Sequence, residues 1–193
     1  IAPLACGALL LVLEGCRGVQ SALEPASDHA RQLSDLFWWM LSGATVIWAG
    51  MIALAVYAIR SRTEDGRNGL IIGGGAVFPT VVRGVLLVHG LGLLPELLAP
   101  PPEGALRVRV EGEQWWWRVT YEGLDGSEVE TANEIRLPVG EPVVFQLEAR
   151  DVIHSFWVPS IAGKVDMTPG RSTRLTVRPT RTGTFRGACA EFC

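Results

Sequence analysis

Between Leu36 and Ile59 the chain carries no charged residue. At ~1.5 Å per residue a helix of that length exceeds the ~30 Å hydrocarbon core of a bilayer, so the stretch predicts a membrane span. Trp38 and Trp39 near one end and Tyr57 near the other suit the aromatic belts at the two water interfaces. Arg60, Arg62 and Arg67 follow in a short hydrophilic loop with Glu64 and Asp65, and the positive-inside rule assigns that loop to the cytoplasm. A second apolar run, Gly69 to Leu98, is softened by Gly73-Gly74-Gly75 and by Pro79. The expectation is an out–in–out hairpin over residues 36–99, with both flanks extracytoplasmic.

Two polar residues interrupt the second run. Arg83 falls near its middle, where a lone charge is costly and should face a partner; a structural ion pair with a neighbouring subunit is the reading. His89 reads as a packing residue. A composition 48% hydrophobic agrees with membrane-embedded segments. The net charge of −3 and a single lysine, Lys164, exclude a nucleic-acid partner of the usual basic kind.

Ahead of the hairpin, Pro3 to Leu13 is apolar but too short to span, and residues 1–16 read as the end of a secretory signal. Leu13-Glu14-Gly15-Cys16 resembles a bacterial lipoprotein cleavage box, with Cys16 either the lipidated residue or a free thiol near a cleavage site. Residues 17–35 are polar and broken by Pro25, a lead-in outside the membrane in which His29 is a solvated loop histidine.

Beyond Pro100-Pro101-Pro102, a stiff exit from the membrane, short alternating runs take over. They are Leu106–Val110, Gln114–Tyr121, Glu134–Leu137, Val143–Leu147, Ser172–Val177 and Thr184–Gly187. Asp125-Gly126, Gly140 and Pro169-Gly170 punctuate them. This spacing predicts an antiparallel sandwich over residues 100–193. Trp115-Trp116-Trp117 cannot all be buried by a strand packed on one side: on a strand, Trp115 and Trp117 share a face. At least one must be core and one exposed. Glu111, Glu113, Glu122, Asp125, Glu128, Glu130 and Glu134 crowd the same region, with Asp151 farther on. They are either a solvated strand surface or a negative patch that steers a basic partner.

Cys189 and Cys193, with His154 upstream, are sulfur and imidazole donors of the kind copper, zinc or iron sites use. In an oxidising compartment the same two cysteines could instead form a disulfide, and spacing alone does not choose.

The wording around them is more specific. "DVIHSFWVPS", "GKVDMTPGR", "GACAEFC" and "EGEQWWWRVTY", together with the two apolar runs, resemble subunit II of haem–copper cytochrome c oxidases, over most of the chain. The resemblance implies a two-helix transmembrane hairpin followed by an all-β, cupredoxin-like Greek-key sandwich carrying a dinuclear copper (CuA) centre. It implies that the Cys189 and Cys193 sulfurs bridge the two coppers, that His154 is a terminal ligand, and that Glu191 offers its backbone carbonyl. The Glu191 side chain would face a magnesium ion at the border with subunit I. Trp115, directly after Gln114, would be the entry point for electrons from cytochrome c, with Glu111, Glu113, Glu122, Asp125 and Asp151 as docking charges. Subunits I and III and the bilayer of a bacterial plasma membrane are the implied partners.

One departure accompanies the match. In that family a Gly, a His and a Met after the second cysteine complete the copper spheres, whereas the sequence given stops at Cys193. It is therefore read as a fragment, expected in this form to bind copper poorly. No Cys-x-x-Cys-His is present in it, so a fused cytochrome c domain could only lie beyond its end. The rival readings are a copper-free structural subunit II of a quinol oxidase and a membrane-tethered copper-binding or assembly protein.

Overall fold

A computed structural model describes residues 17–60, 67–97, 99–123 and 126–192. Cys16, Glu64, Asp65, Asp125 and Cys193, singled out above, lie outside these residues. The chain divides into two compact units, one running to Trp38 and resuming at Pro101, the other Trp39–Pro100.

The second unit is helical. Helix α1 spans Asp28–Arg60, α2 Arg67–Ile72 and α3 Phe78–Leu97, with a π-helical turn at Gly73–Val77 between the last two. The π-turn coincides with the triple glycine and ends just before Pro79. Proline has no N–H for the regular helical ladder, and a one-residue register slip upstream accommodates that gap. Asp28–Arg60 and Gly69–Pro95 are each long and apolar enough to cross a membrane, and their apolar windows are uncovered within the chain.

Helix α1 begins at Asp28, ahead of the expected Leu36, so His29 is half-buried in a first helical turn rather than in a loop. The reason is Ser27. Its hydroxyl accepts the Ala30 N–H at 3.0 Å, a helix N-cap, and donates to the Ile161 carbonyl.

The residues before Ser27 form a strap stitched to the β-structure rather than a free lead-in. The Ala26 N–H donates to Ser160 O at 2.7 Å, the Thr180 N–H to Ala26 O at 2.8 Å, and the Arg186 N–H to Val19 O at 2.8 Å. Ala26 and Ser27 are fully buried. Ser27→Ala removes the cap and leaves the Ile161 carbonyl without its donor. The full chain in detergent is expected to lose about 1–3 kcal/mol in denaturant unfolding.

The first unit is a two-layer β-sandwich. Its strands are β1 Leu106–Glu113, β2 Trp116–Glu122, β3 Glu128–Ala132 and β4 Val143–Ala149. They continue with β5 His154–Trp157, β6 Val165–Met167, β7 Thr173–Val177 and β8 Ala188–Cys189. One sheet has the order β3-β2-β1-β4-β7 and the other β6-β5-β8. Val108 and Val110 of β1 and Val143, Phe145 and Leu147 of β4 point between the layers. There they meet Phe156, Met167, Leu175 and Val177. This period-two alternation is what the sequence predicted.

The pairing is not purely antiparallel. Strand β1 runs parallel to β4 with Leu106 opposite Val143. The long return through β2, β3 and the segment after it makes that pairing possible. Two expected strands are absent. Ile135 and Leu137 pack on the core, but the Arg136 N–H donates to the Tyr121 hydroxyl at 2.6 Å, a side chain in place of a ladder. Residues 184–187 are irregular and held by the strap. The short strands β5 and β6 and the polar β3 escaped the sequence reading.

Candidate metal centre

The centre is built where β8 pairs with β5, placing Cys189 opposite Phe156 and Ala188 opposite Trp157. His154 opens β5 and is 1% exposed. Its Nδ1 lies 3.8 Å from Cys189 Sγ. The same sulfur sits 3.5 Å from the Glu191 carbonyl oxygen and accepts the Ser155 N–H at 3.5 Å. An imidazole nitrogen and a carbonyl oxygen thus both lie close to one sulfur, donor types that copper sites use.

The other face of the imidazole is fixed. Its Nε2 is 2.7 Å from Asp151 Oδ1, so a proton at Nε2 donates to the carboxylate and Nδ1 presents its lone pair toward the sulfur. Asp151 also accepts the Val152 N–H at 2.7 Å and the Gln114 N–H at 2.8 Å. These bonds, that to His154 first and those from Gln114 and Val152 after it, hold the Asp151 carboxyl down from its ordinary 3.8 to about 2. Asp151, read as a docking charge, stays exposed at the surface while its carboxylate joins His154 to the β1–β2 turn. An acid three residues ahead of a histidine was the available signal.

Glycine makes room for this ring. A Cβ on Gly112 would meet His154 Cγ, Cδ2 and Cβ at 2.7, 2.8 and 2.9 Å, so β1 can pass the imidazole only because position 112 has no side chain. A Cβ on Gly187 would likewise press on Trp117 and Val158 at 3.0 and 3.1 Å. Gly112 carries no chemistry of its own, and the sequence reading missed it.

Cys189 is disulfide-bonded, while Cys193 lies outside the described residues. The sulfur must be released as a thiolate before it can serve a metal. Among the described residues no group of three or more His, Cys, Asp or Glu side chains gathers as a metal cage. The Glu191 carboxylate is held by Lys164 Nζ at 3.0 Å, and the same ammonium reaches Asp166 at 3.0 Å.

The three tryptophans separate as the crowding argument requires. Trp117 packs on the core, its ring centroid 5.0 Å from that of Phe156. Trp116 lies under the Arg118 guanidinium at 4.8 Å. Trp115 sits in the two-residue turn joining β1 to β2, not on the strand, and is 79% exposed. All three line an open groove of about 720 Å³ that also reaches His154, Arg186 and Cys189.

The neighbouring acids are largely paired. Arg118 reaches Glu113 at 2.7 Å, Glu130 at 2.5 Å and Glu111 at 3.9 Å. Arg109 reaches Glu128 at 3.0 Å and Glu122 at 4.0 Å. Arg118, aided by Arg150, lowers the Glu113 pKa. The surface beside Trp115 is therefore a mixed ion-pair lattice.

Comparison with known proteins follows the same outline. Residues 123–193 match the family model described as cytochrome c oxidase subunit II, periplasmic domain. The cytochrome c oxidase subunit 2 of Alkalihalophilus pseudofirmus is 31% identical over 96% of this chain and 58% of its own length. A protein named probable quinol oxidase subunit 2, from Staphylococcus haemolyticus, is 28% identical over 95% of this chain and 50% of its own length. The chain thus spans little more than half the length of these relatives. Among solved structures, the periplasmic domain of subunit II of cytochrome oxidase from Bradyrhizobium japonicum shares 29% identity. It covers 49% of this chain and 78% of that one, with a TM-score of 0.44. The likeness to the Alkalihalophilus protein runs through both apolar helices as well as the β-sandwich, and the family model covers the part of the sandwich from β3 onward, Cys189 included. With two membrane-competent helices followed by this β-sandwich, the chain belongs to the cytochrome c oxidase subunit II family.

Proposed function

We propose that this chain is the electron-entry subunit of a haem–copper cytochrome c oxidase, receiving electrons from cytochrome c for the haem of subunit I. Copper held there would supply reversible one-electron exchange. The observation that carries this reading is the His154 ring, buried with Nδ1 toward Cys189 Sγ and Nε2 held by Asp151.

His154, Cys189, Cys193 and the Glu191 carbonyl are the ligands this chain would contribute. Asp151 holds the imidazole in one tautomer and orientation, and the dry packing around His154 excludes water from that side. Through the Gln114 N–H, Asp151 also braces the turn that carries Trp115, the proposed contact for cytochrome c. Glu111 and Glu113 would be docking charges near that turn despite their arginine partners; Glu122 stands at the far end of the β1–β2 hairpin, opposite Arg107, and Asp125 lies outside the described residues. The Glu191 side chain would leave Lys164 for magnesium at the subunit I border. The helices would form a two-span hairpin in a bacterial plasma membrane, with the sandwich outside and Cys16 a lipidation site.

The test is copper content and electron paramagnetic resonance on the full product of the same gene, reduced before loading. Two coppers per chain sharing one unpaired electron is the expected result. No uptake, with Cys189 still oxidised after reductant, would sink the reading and favour the alternative of a copper-free structural subunit of a quinol oxidase.

Asp151→Asn is expected to weaken copper binding about 10–100-fold by releasing the far side of the ring, measured by competition with a chelator. A pH signature should accompany it. Because the folded pKa of Asp151 lies below its unfolded value, its contribution to stability is present above about pH 4 and fades as pH falls through about 2. The gap in stability between wild type and variant should narrow over that window.

A further inference from the structure

The outer face of the five-stranded sheet holds a second groove, of about 470 Å³, that the metal centre does not use. Its walls include Arg107, Arg109 and Arg174, with Gln146 between strands and Pro101 at one margin. The register explains the grouping. Arg109 lies opposite Gln146, and Gln146 opposite Arg174, in one row across β1, β4 and β7. Neighbouring strands are about 4.8 Å apart, so the row sets Arg109 and Arg174 roughly 10 Å from each other at their backbones. Arg107 stands two residues along β1 on the same face, since Val108 between them is buried.

The charges here are not balanced. Arg109 is bound to Glu128 at 3.0 Å, and Glu122 of the groove wall lies 4.0 Å from it. Arg109 Nε is nonetheless buried without a hydrogen-bond partner. Arg107 and Arg174 make no ion pair among the described residues. The carboxylates nearby thus meet Arg109 (Glu128 and Glu122) and Gln146 (Glu148 at 2.8 Å), leaving Arg107 and Arg174, among the described residues, as the wall's unpaired cations. Guanidinium forks match the paired oxygens of a phosphate in both geometry and charge.

The margin at Pro101 indicates the source of the phosphate. Pro101 follows the second apolar helix by only a few residues, each reaching at most about 3.5 Å. An anion site beside that exit is within reach of a bilayer surface.

We propose that this groove binds the phosphodiester of an anionic lipid headgroup, held between Arg107 and Arg174 with Arg109 beneath. The site is independent of copper.

The test uses the full gene product in a zwitterionic detergent, as wild type and as the double variant Arg107→Gln/Arg174→Gln. Calorimetric titrations would use dihexanoylphosphatidylglycerol, dihexanoylphosphatidylcholine and inorganic phosphate. The expected result is binding of the glycerol lipid alone, weakened at least about tenfold by the double substitution and by high salt. Both substitutions are on exposed side chains, so the fold should be unaffected, and an unchanged unfolding midpoint would verify this. Equal binding of the choline lipid, or undiminished affinity in the double variant, would overturn the proposal. Inorganic phosphate binding as tightly as the glycerol lipid would overturn the lipid assignment in favour of a free anion.

Discussion

Phe156→Ala is expected to cost about 3–5 kcal/mol of unfolding free energy, the largest loss from any single side chain of the sandwich. Phe156 is 2% exposed. Its ring lies 5.0 Å from that of Trp117 and 5.1 Å from that of Phe145. Truncation opens a cavity between two layers, and neither neighbour can fill it without leaving its own strand. The consequence reaches beyond stability, because Phe156 is the residue on β5 that pairs with Cys189. Loss of that support should loosen the two-residue β8, and with it the distance from Cys189 Sγ to His154. Denaturant unfolding reads the first effect. Hydrogen exchange at the Cys189 amide reads the second, and unchanged protection there would show that β8 is held by the strap and loop alone.

Gly112→Ala should have the second largest effect. The added carbon would come within 2.7 Å of His154 Cγ and 2.9 Å of its Cβ, the stem of a buried ring rather than a flexible end. Either β1 moves away from β5 or the imidazole swings from its place, at about 1–3 kcal/mol for the overpacking. Movement of the ring breaks the bond to Asp151, so copper affinity is expected to fall further than stability does. Parallel measurement of unfolding and copper retention separates the two. A variant with native copper affinity would mean that strand β1 yields instead of the histidine.

These two substitutions also mark how far the sequence could be read. The apolar helices were legible because an uncharged run longer than a bilayer is thick is a local property. Strands β1, β4 and β7 were legible for a similar reason, since a half-buried strand writes its alternation directly into the chain. The donor set His154, Cys189 and Glu191 came from the wording shared with the resembled family, as did the choice of Trp115; the crowding of three adjacent tryptophans required only that one of them be exposed. Strands β5 and β6 were too short to show a period, and β3 too polar to look buried.

What the chain itself determined, then, is the order of its parts and the chemistry of its candidate ligands. Each of these depends on residues that are near one another in sequence. Tertiary structure alone decided the parallel pairing of β1 with β4, the stitching of Ala26 and Ser27 into the sandwich, and the fitting of His154 against Gly112. It also joined the exposed Asp151 to the buried His154 ring, and gathered Arg107, Arg109 and Arg174 from two separated strands. These contacts join residues far apart along the chain. Their free energy arises only once both partners have lost water and found each other, and no local pattern records that event.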